Sequence, residues 1–332
     1  MQSKEIRLKN RPVGVPTTAD FELATVEVPE PGPGEALVRN LWMTVDPYMR
    51  GQMVDRKSYI APFALGKPLT GLAVGEVLES NDPGLAKGEL VITFNGWREA
   101  FVGKAAAMQK PPPIKAPPEA FLGVLGSTGI TAYGGLLRII DPKEGETIFV
   151  SGAAGAVGSI AAQIAKIKGC RVIASAGTDE KVAWLKSVGV DHAVNYKTCG
   201  DLAKALAVGA PDGIDGYFDN VGGAHLEAAL ELARPFARFA ECGMIAQYNL
   251  TEPPPGPRNL VLLISKSIRM EGFLLGNMRG IRPPFFKDME AWIAEGKIKW
   301  EETVAHGIEN APTAFLSLFS GGNIGKMLVK LS

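Results

Sequence analysis

The stretch from Glu146 to Lys181, ETIFVSGAAGAVGSIAAQIAKIKGCRVIASAGTDEK, constrains this chain more than any other. Thr147 to Ser151 is a short apolar run with β-branched Thr, Ile and Val, which reads as a buried parallel strand. Gly152, Gly155 and Gly158 follow at three-residue intervals, and Ser159 to Lys168 continues with small and apolar residues at helical spacing. The lack of a side chain at each glycine permits a tight turn, close approach to a pyrophosphate and close helix–strand packing. The N–H groups at the helix start, with the helix dipole, favour bound phosphate. Arg171 to Ala176 then supplies a second strand. Strand, glycine turn, helix and strand in this order predict a dinucleotide site.

The end of the second strand indicates which dinucleotide. A site for the non-phosphorylated cofactor usually carries Asp or Glu about 20 residues beyond the glycines, bonded to the ribose 2′-hydroxyl. Here the chain reads Ala174, Ser175, Ala176, Gly177, Thr178, with no carboxylate to repel a 2′-phosphate. Lys181, one turn into the next helix, is placed to pair with that phosphate as a flexible point charge. It equally suits a solvated helix lysine, with Asp179 and Glu180 favouring the helix start. The missing acid and Lys181 together favour NADP(H).

A chain of 332 residues has room for two domains and a sizeable core. Its 35 basic and 35 acidic residues cancel, leaving no field to draw it to nucleic acid or an acidic membrane. The N-terminus shows no basic-then-apolar signal pattern and no run suggests a membrane span, so a cytoplasmic protein is the expectation. Only Cys170, Cys199 and Cys242 occur, without a CxxC pair, which argues against a disulfide framework or a clustered zinc site. His192, His225 and His306 are not spaced as metal ligands and read as surface or packing residues.

From Glu22 to about Gly103 the patterning is β, with turns rich in Gly and Pro. Phe21–Val28, Ala36–Val45, Gly71–Leu78 and Leu90–Phe94 are the strand-like runs, and they suggest a compact barrel-like domain. KPPPIKAPP at Lys110 to Pro118 reads as an extended connector. Phe121 to Ile140 reads as helical. Short strands ending near Tyr196, Asn220 and Ile245 then alternate with helices over Lys181–Val188, Leu202–Val208 and His225–Leu232. That alternation predicts a doubly wound parallel sheet whose crevice lies at the carboxyl ends of its strands. Pro284–Glu295 and Ala311–Phe319 look helical, and Lys326–Leu331 looks like a last strand returning to the first domain.

These segments together resemble the zinc-independent medium-chain dehydrogenases/reductases, in the group of prostaglandin reductases, plant double-bond reductases and bacterial curcumin reductases. The resemblance rests on TVDPYMRG (Thr44–Gly51), GITAYGGL (Gly129–Leu136), SGAAGAVGS (Ser151–Ser159) and IAKIKGCRVIASAGTDEK (Ile164–Lys181). It continues through NYK (Asn195–Lys197), FDNVGG (Phe218–Gly223), CGMIAQYN (Cys242–Asn249) and GGNIGKMLV (Gly321–Val329). It implies an α/β protein with a GroES-like β-barrel catalytic domain over residues 1–122, a doubly wound Rossmann domain over 123–297 and a return to the catalytic domain over 298–332. A homodimer and NADPH-dependent reduction of the carbon–carbon double bond of α,β-unsaturated aldehydes and ketones are further implications.

By the same resemblance, Gly152 and its neighbours Ala154, Gly155, Ala156, Val157 and Gly158 hold the pyrophosphate. Lys181 and Tyr196 hold the adenosine 2′-phosphate, and Asn220 and Asn323 line the cofactor cleft. Gly177 is a further cofactor-binding candidate, and Thr131, with Tyr133 at the start of the cleft helix, is a candidate cofactor contact or a packing residue. Tyr248 sits beside the reacting enone. Tyr48, within DPYMR, reads either as a substrate-pocket residue or as a core aromatic of the β domain. Zinc-containing relatives place a cysteine near Val45–Tyr48 and a histidine near Gly71, and neither residue type occurs in the first 169 residues. No metal is therefore expected, nor the Lewis acid that ionises an alcohol.

Conjugate reduction needs the two reactants held at attack distance and a donor for the carbonyl oxygen. Tyr248 is the candidate donor, since a phenol donates without ionising; its alternative role is an aromatic packing under the Pro253–Pro255 loop. Asp46 and Arg50 read equally well as a structural ion pair. The proline-rich TEPPPGPRNL at Thr251–Leu260 is expected to cover the substrate, and Met270–Met278 to supply apolar wall or dimer contacts. A zinc-independent quinone reductase of the zeta-crystallin kind and a non-catalytic NADPH-binding protein are the competing readings.

Overall fold

The computed structural model describes residues 1–332 and divides into two compact units. One unit comprises Met1–Leu122, Glu302–Asn323 and Met327–Ser332; the other comprises Gly123–Glu301 and Ile324–Lys326.

In the first unit, Gln2–Leu8 pairs antiparallel with Phe21–Glu27 along its whole length. A larger sheet runs Glu302–His306, Lys326–Lys330, Glu35–Thr44, Ala73–Ser80, Leu90–Thr93, with Ala100–Lys104 also paired to Glu35–Thr44. Along Glu35–Thr44 the alternation buries Ala36, Val38 and Asn40 and leaves Arg39 outside. Two register shifts against Ala73–Ser80 interrupt the ladder, the local device that bends a strand. Asn40 is buried, and its Nδ2 donates to the carbonyls of Asn95 and Arg98, while its Oδ1 has no partner. The main apolar cluster gathers Ile6, Leu8, Met43, Met49, Trp97 and Phe315. Within it Phe21 stacks on Trp97 at 6.1 Å between ring centroids, and Phe315 meets both rings edge-on. The strand Gln2–Leu8 escaped the sequence reading because its polar side chains alternate too weakly to mark it: Lys4 is exposed and Glu5 is buried.

The second unit is built on a 6-stranded sheet whose strands are labelled β1 (Thr147–Val150), β2 (Arg171–Ala176), β3 (His192–Asn195), β4 (Ile214–Asp219), β5 (Ala233–Glu241) and β6 (Arg269–Gly272). Every pairing is parallel, in the order β6-β5-β4-β1-β2-β3. This is the strand order of a dinucleotide-binding Rossmann sheet, and its direction of winding reverses between β1 and β4. β1, β2 and β4 are buried nearly throughout, as strands covered on both faces must be. The helices are α1 (Ser127–Gly134), α2 (Gly158–Ile167), α3 (Asp179–Ser187), α4 (Leu202–Ala207), α5 (Ala224–Leu232) and α6 (Arg282–Ala294). Phe149, Tyr217 and Phe239 make an aromatic ladder across β1, β4 and β5, with centroids 4.9 and 5.2 Å apart.

Two segments differ from the sequence reading. The helical stretch expected over Phe121–Ile140 is broken into a short turn (Pro118–Leu122), α1 and a wide π turn at Gly135–Ile140. Gly134 and Gly135 keep right-handed helical dihedrals and allow close packing: a Cβ on Gly134 would lie 2.3 Å from Met278 Sδ, and one on Gly135 would lie 2.5 Å from the Phe273 ring. The other is Met270–Met278, whose first residues complete β6, an edge strand exposed at all four positions. Exposure on that scale leaves no alternating pattern to read. No helix is long and apolar enough to cross a membrane.

Candidate active site

The reversal point of the sheet brings together the loops that follow β1 and β4. Gly152 leaves β1 with φ of +55°, a conformation that side chains rarely adopt. A Cβ there would also press on Val221 and Asn220 of the β4 loop, at 3.2 and 3.5 Å. Gly158 opens α2 so close to the preceding turn that a Cβ would sit 2.6 Å from the Gly152 carbonyl oxygen. Ala154 is buried, with its carbonyl accepting from Gly325 N–H, while Gly155, Ala156 and Val157 remain half-exposed at the start of α2. Their side chains are small or absent where N–H groups of a helix start face outward, which fits a pyrophosphate.

The loop after β2 forms a second cluster. Thr178 caps α3, its hydroxyl accepting from Lys181 N–H at 3.3 Å. Tyr196 and Lys197, just beyond β3, lean over Gly177: a Cβ there would meet the tyrosine hydroxyl at 3.0 Å and Lys197 Cε at 3.4 Å. The Tyr196 ring is held edge-on to His225 at 4.9 Å. Burial pushes His225 down to about 4, so it serves as a neutral packing group. The Lys181 ammonium is held below the ordinary lysine value, by burial first and by Lys197 second. Two cations crowded around a glycine are relieved by an added dianion, so this cluster fits a 2′-phosphate. Lys197 was overlooked in the sequence because NYK reads only as the end of a strand.

At the end of β4, Asn220 is pinned by two bonds to Ser151, with its N–H donating to Oγ at 2.9 Å and Nδ2 donating to the carbonyl at 2.8 Å. Tyr248 follows a short turn at Ile245–Gln247, and its hydroxyl folds back to accept from Met244 N–H at 3.3 Å. A Cβ on Gly243 would lie 3.0 Å from that hydroxyl and 3.8 Å from the Asn220 carbonyl oxygen. The structure therefore brings Gly152, Asn220 and Tyr248 to one end of the sheet.

Other residues singled out in the sequence belong to other segments of the chain. Thr131 lies half-buried in α1, whereas its neighbour Tyr133 donates to Asp288 Oδ2 at 2.7 Å and packs on Phe285 and Trp292, a structural role. Tyr48 belongs to the first unit, packed against its core ahead of the short helix Met49–Gln52. Burial, with Asp46 and Tyr59 nearby, holds its phenol well above the ordinary value and therefore neutral. Arg50 reaches the carbonyls of Gly14, at 2.7 Å, and Pro12, anchoring that loop. Asn323 lies in the first unit, in the turn before Lys326–Lys330. The proline-rich segment is exposed over Thr251–Gly256 and tied down at its far end, where Arg258 N–H and Asn259 Nδ2 donate to Glu227. No group of three or more His, Cys, Asp or Glu side chains is arranged to hold a metal ion.

Comparison with known proteins bears on this geometry. Residues 4–110 match the family model of an N-terminal domain of oxidoreductases, and residues 156–295 match that of zinc-binding dehydrogenases. The chain is 46% identical to the NADP+-dependent 2-alkenal reductase of Nicotiana tabacum, across 100% of this chain and 98% of that one. It is 43% identical to prostaglandin reductase 1 of Bos taurus, across 99% of both. Among solved structures, CurA of Vibrio vulnificus in complex with NADPH superposes with a TM-score of 0.94 at 41% identity, again across 99% of both chains.

Proposed function

This chain belongs to the zinc-independent medium-chain dehydrogenases/reductases, and we propose that it reduces the carbon–carbon double bond of α,β-unsaturated ketones and aldehydes. It is an NADP-dependent oxidoreductase acting on C=C bonds. The enone and enal substrate class is the proposal, and the observation that carries it is the Tyr248 hydroxyl, folded back on Met244 N–H and Gly243 in the turn that follows β5.

When bound, the nicotinamide supplies a hydride, which goes to the β-carbon of the conjugated carbonyl and leaves negative charge on its oxygen. Tyr248 donates a hydrogen bond to that oxygen. Because its own oxygen accepts from Met244 N–H, the phenol is held in place and its O–H is polarised. Water delivers the proton to the α-carbon. Lys181, Tyr196 and Lys197 take the 2′-phosphate, and the backbone from Gly152 to Gly158 takes the pyrophosphate. Thr131 makes a further coenzyme contact, and Thr251–Leu260 covers the substrate.

We also propose a homodimer. β6 is an unprotected edge, and Val261, Ile264, Met270 and Leu274 expose 67, 81, 37 and 39% of their surface around it in sequence. A second copy would cover both. Light scattering should give twice the monomer mass, and Val261→Glu with Ile264→Glu should give one. The three cysteines are free thiols, in keeping with a cytoplasmic, reducing compartment.

A substrate panel with NADPH, scored by product analysis, tests the reaction. Saturated ketones and aldehydes from enones and enals support it. Turnover of quinones but not of enones or enals would move the chain to quinone reduction, and tight NADPH binding with no turnover would remove catalysis altogether.

A further inference from the structure

A buried pair of carboxyls lies behind the loops that carry Asn220 and Tyr248. Asp219 ends β4, Glu241 ends β5, and the parallel register sets them opposite each other. Asp219 is wholly buried. Its Oδ1 accepts from Ser151 Oγ–H at 2.9 Å and from the N–H groups of Val221 and Gly222, both at 2.8 Å. Its main-chain carbonyl accepts from the N–H groups of Cys242 and Gly243, at 2.9 and 3.0 Å. Ala246 N–H then donates to the Val221 carbonyl at 3.1 Å. Through these bonds Asp219 ties the Asn220–Gly223 loop to the Cys242–Tyr248 turn.

The other side of the pair is unbalanced. Asp219 Oδ2 and both carboxyl oxygens of Glu241 are buried with no donor in good hydrogen-bond geometry, although the Tyr217 hydroxyl and the two carboxyls lie close enough to one another to interact. The polar groups around them are Ser151 just after β1, Tyr217 of β4, Cys242 beyond β5 and His225 of α5. Tyr217 and Cys242 are pushed up and His225 down by burial, so all three are uncharged at neutral pH. Two carboxylates facing each other in such surroundings are strongly disfavoured, and one proton between them removes the conflict. Burial and Asp219 push Glu241 up to about 9, with no cation among the causes.

We propose that Glu241 is a positioning residue: it keeps its proton, donates it to Asp219 Oδ2, and so holds the two loops in the arrangement that binds NADPH. The inference rests on the coenzyme and not on the enone substrate, so it survives if the substrate proposal fails. Ionisation of Glu241 sets two buried carboxylates against each other and loosens both loops.

The sign of the pH dependence follows. The folded chain holds a proton that the unfolded chain releases near pH 4.3, roughly the ordinary glutamate value. Stability from this group is therefore complete below that pH and declines as pH rises towards about 9. Glu241→Gln keeps a donor and has no proton to lose. The test compares wild type and E241Q by thermal melts at pH 5, 7 and 9 and by NADPH and NADH affinity, read from protein fluorescence, between pH 7 and 10. Lys181 also weakens NADPH binding at alkaline pH, but equally in both proteins, and NADH lacks its phosphate partner.

The expected result is that wild type loses stability with rising pH more steeply than E241Q. Wild type should also lose several-fold more affinity for both coenzymes between pH 7 and 10. Parallel profiles in the two proteins overturn the proposal. Wild type alone provides a second measurement should E241Q misfold. Its infrared spectrum at pH 7 should contain a protonated-carboxyl band that disappears near pH 9 to 10, above about 9, and absence of that band at pH 7 overturns the proposal.

Discussion

The two ends of the coenzyme crevice use charge in opposite ways. At the adenosine end, Lys181 is half-buried and Tyr196 and Lys197 are exposed, so the cations stay within reach of water. At the reacting end, Asp219 is wholly buried, and its Oδ2 and the Glu241 carboxyl oxygens are sealed from solvent. Charge near water can select a ligand by sign at little structural cost, because solvent screens it when the ligand leaves. Buried charge must be balanced inside the fold, so it fixes geometry. The adenosine end should therefore set which coenzyme binds, and the reacting end how fast the bound pair reacts.

Substitutions can break that division, beginning with the largest expected effect. Tyr248→Phe should lower turnover by about 100-fold, the cost of removing one oxyanion donor, while NADPH affinity holds. A matched loss of affinity would make Tyr248 a packing residue instead. Gly158→Ala adds a Cβ 2.6 Å from the Gly152 carbonyl, a collision with backbone that cannot swing aside. It should cost about 1–3 kcal/mol of stability, seen in urea melts, and weaken NADPH and NADH alike. Lys181→Ala should weaken NADPH by roughly 10–100-fold, the range for a lost hydrogen bond to a charged group, and leave NADH nearly unchanged. Equal loss of both would remove Lys181 from the 2′-phosphate.

A smaller effect of the same kind belongs to Lys197→Ala, roughly two- to fivefold on NADPH, as for an exposed ion pair. It also sharpens the pH dependence. If the Lys181 ammonium meets the 2′-phosphate as proposed, the preference for NADPH should shrink as pH rises through its lowered value. Removing Lys197 takes away one cause of that lowering, and the preference should then persist to higher pH. Coenzyme affinities measured between pH 7 and 10 check this.

The sheet and the glycine turn were legible because each depends on few variables. A buried parallel strand must be apolar on both faces, and only glycine fits where Gly158 meets the Gly152 carbonyl. The residue pattern and the resemblance together carried the α/β fold and the phosphorylated coenzyme, the resemblance carried the family, and the comparisons bear out all three. Other features resisted reading because they depend on neighbours distant in the chain. Lys197 gains meaning only when β3 brings it over Gly177, and the packing of Phe273 and Met278 on Gly135 and Gly134 depends on residues more than a hundred positions away. Glu241 reads as one more strand-end charge until the register sets it against Asp219. Side-chain roles at the reacting end were thus the least accessible to sequence.

The most direct measurement follows the label from NADPH deuterated at C4 of the nicotinamide into an enone product. Deuterium on the β-carbon of a saturated ketone, with the carbonyl intact, is the predicted result. Deuterium on the carbonyl carbon of an allylic alcohol would contradict the account.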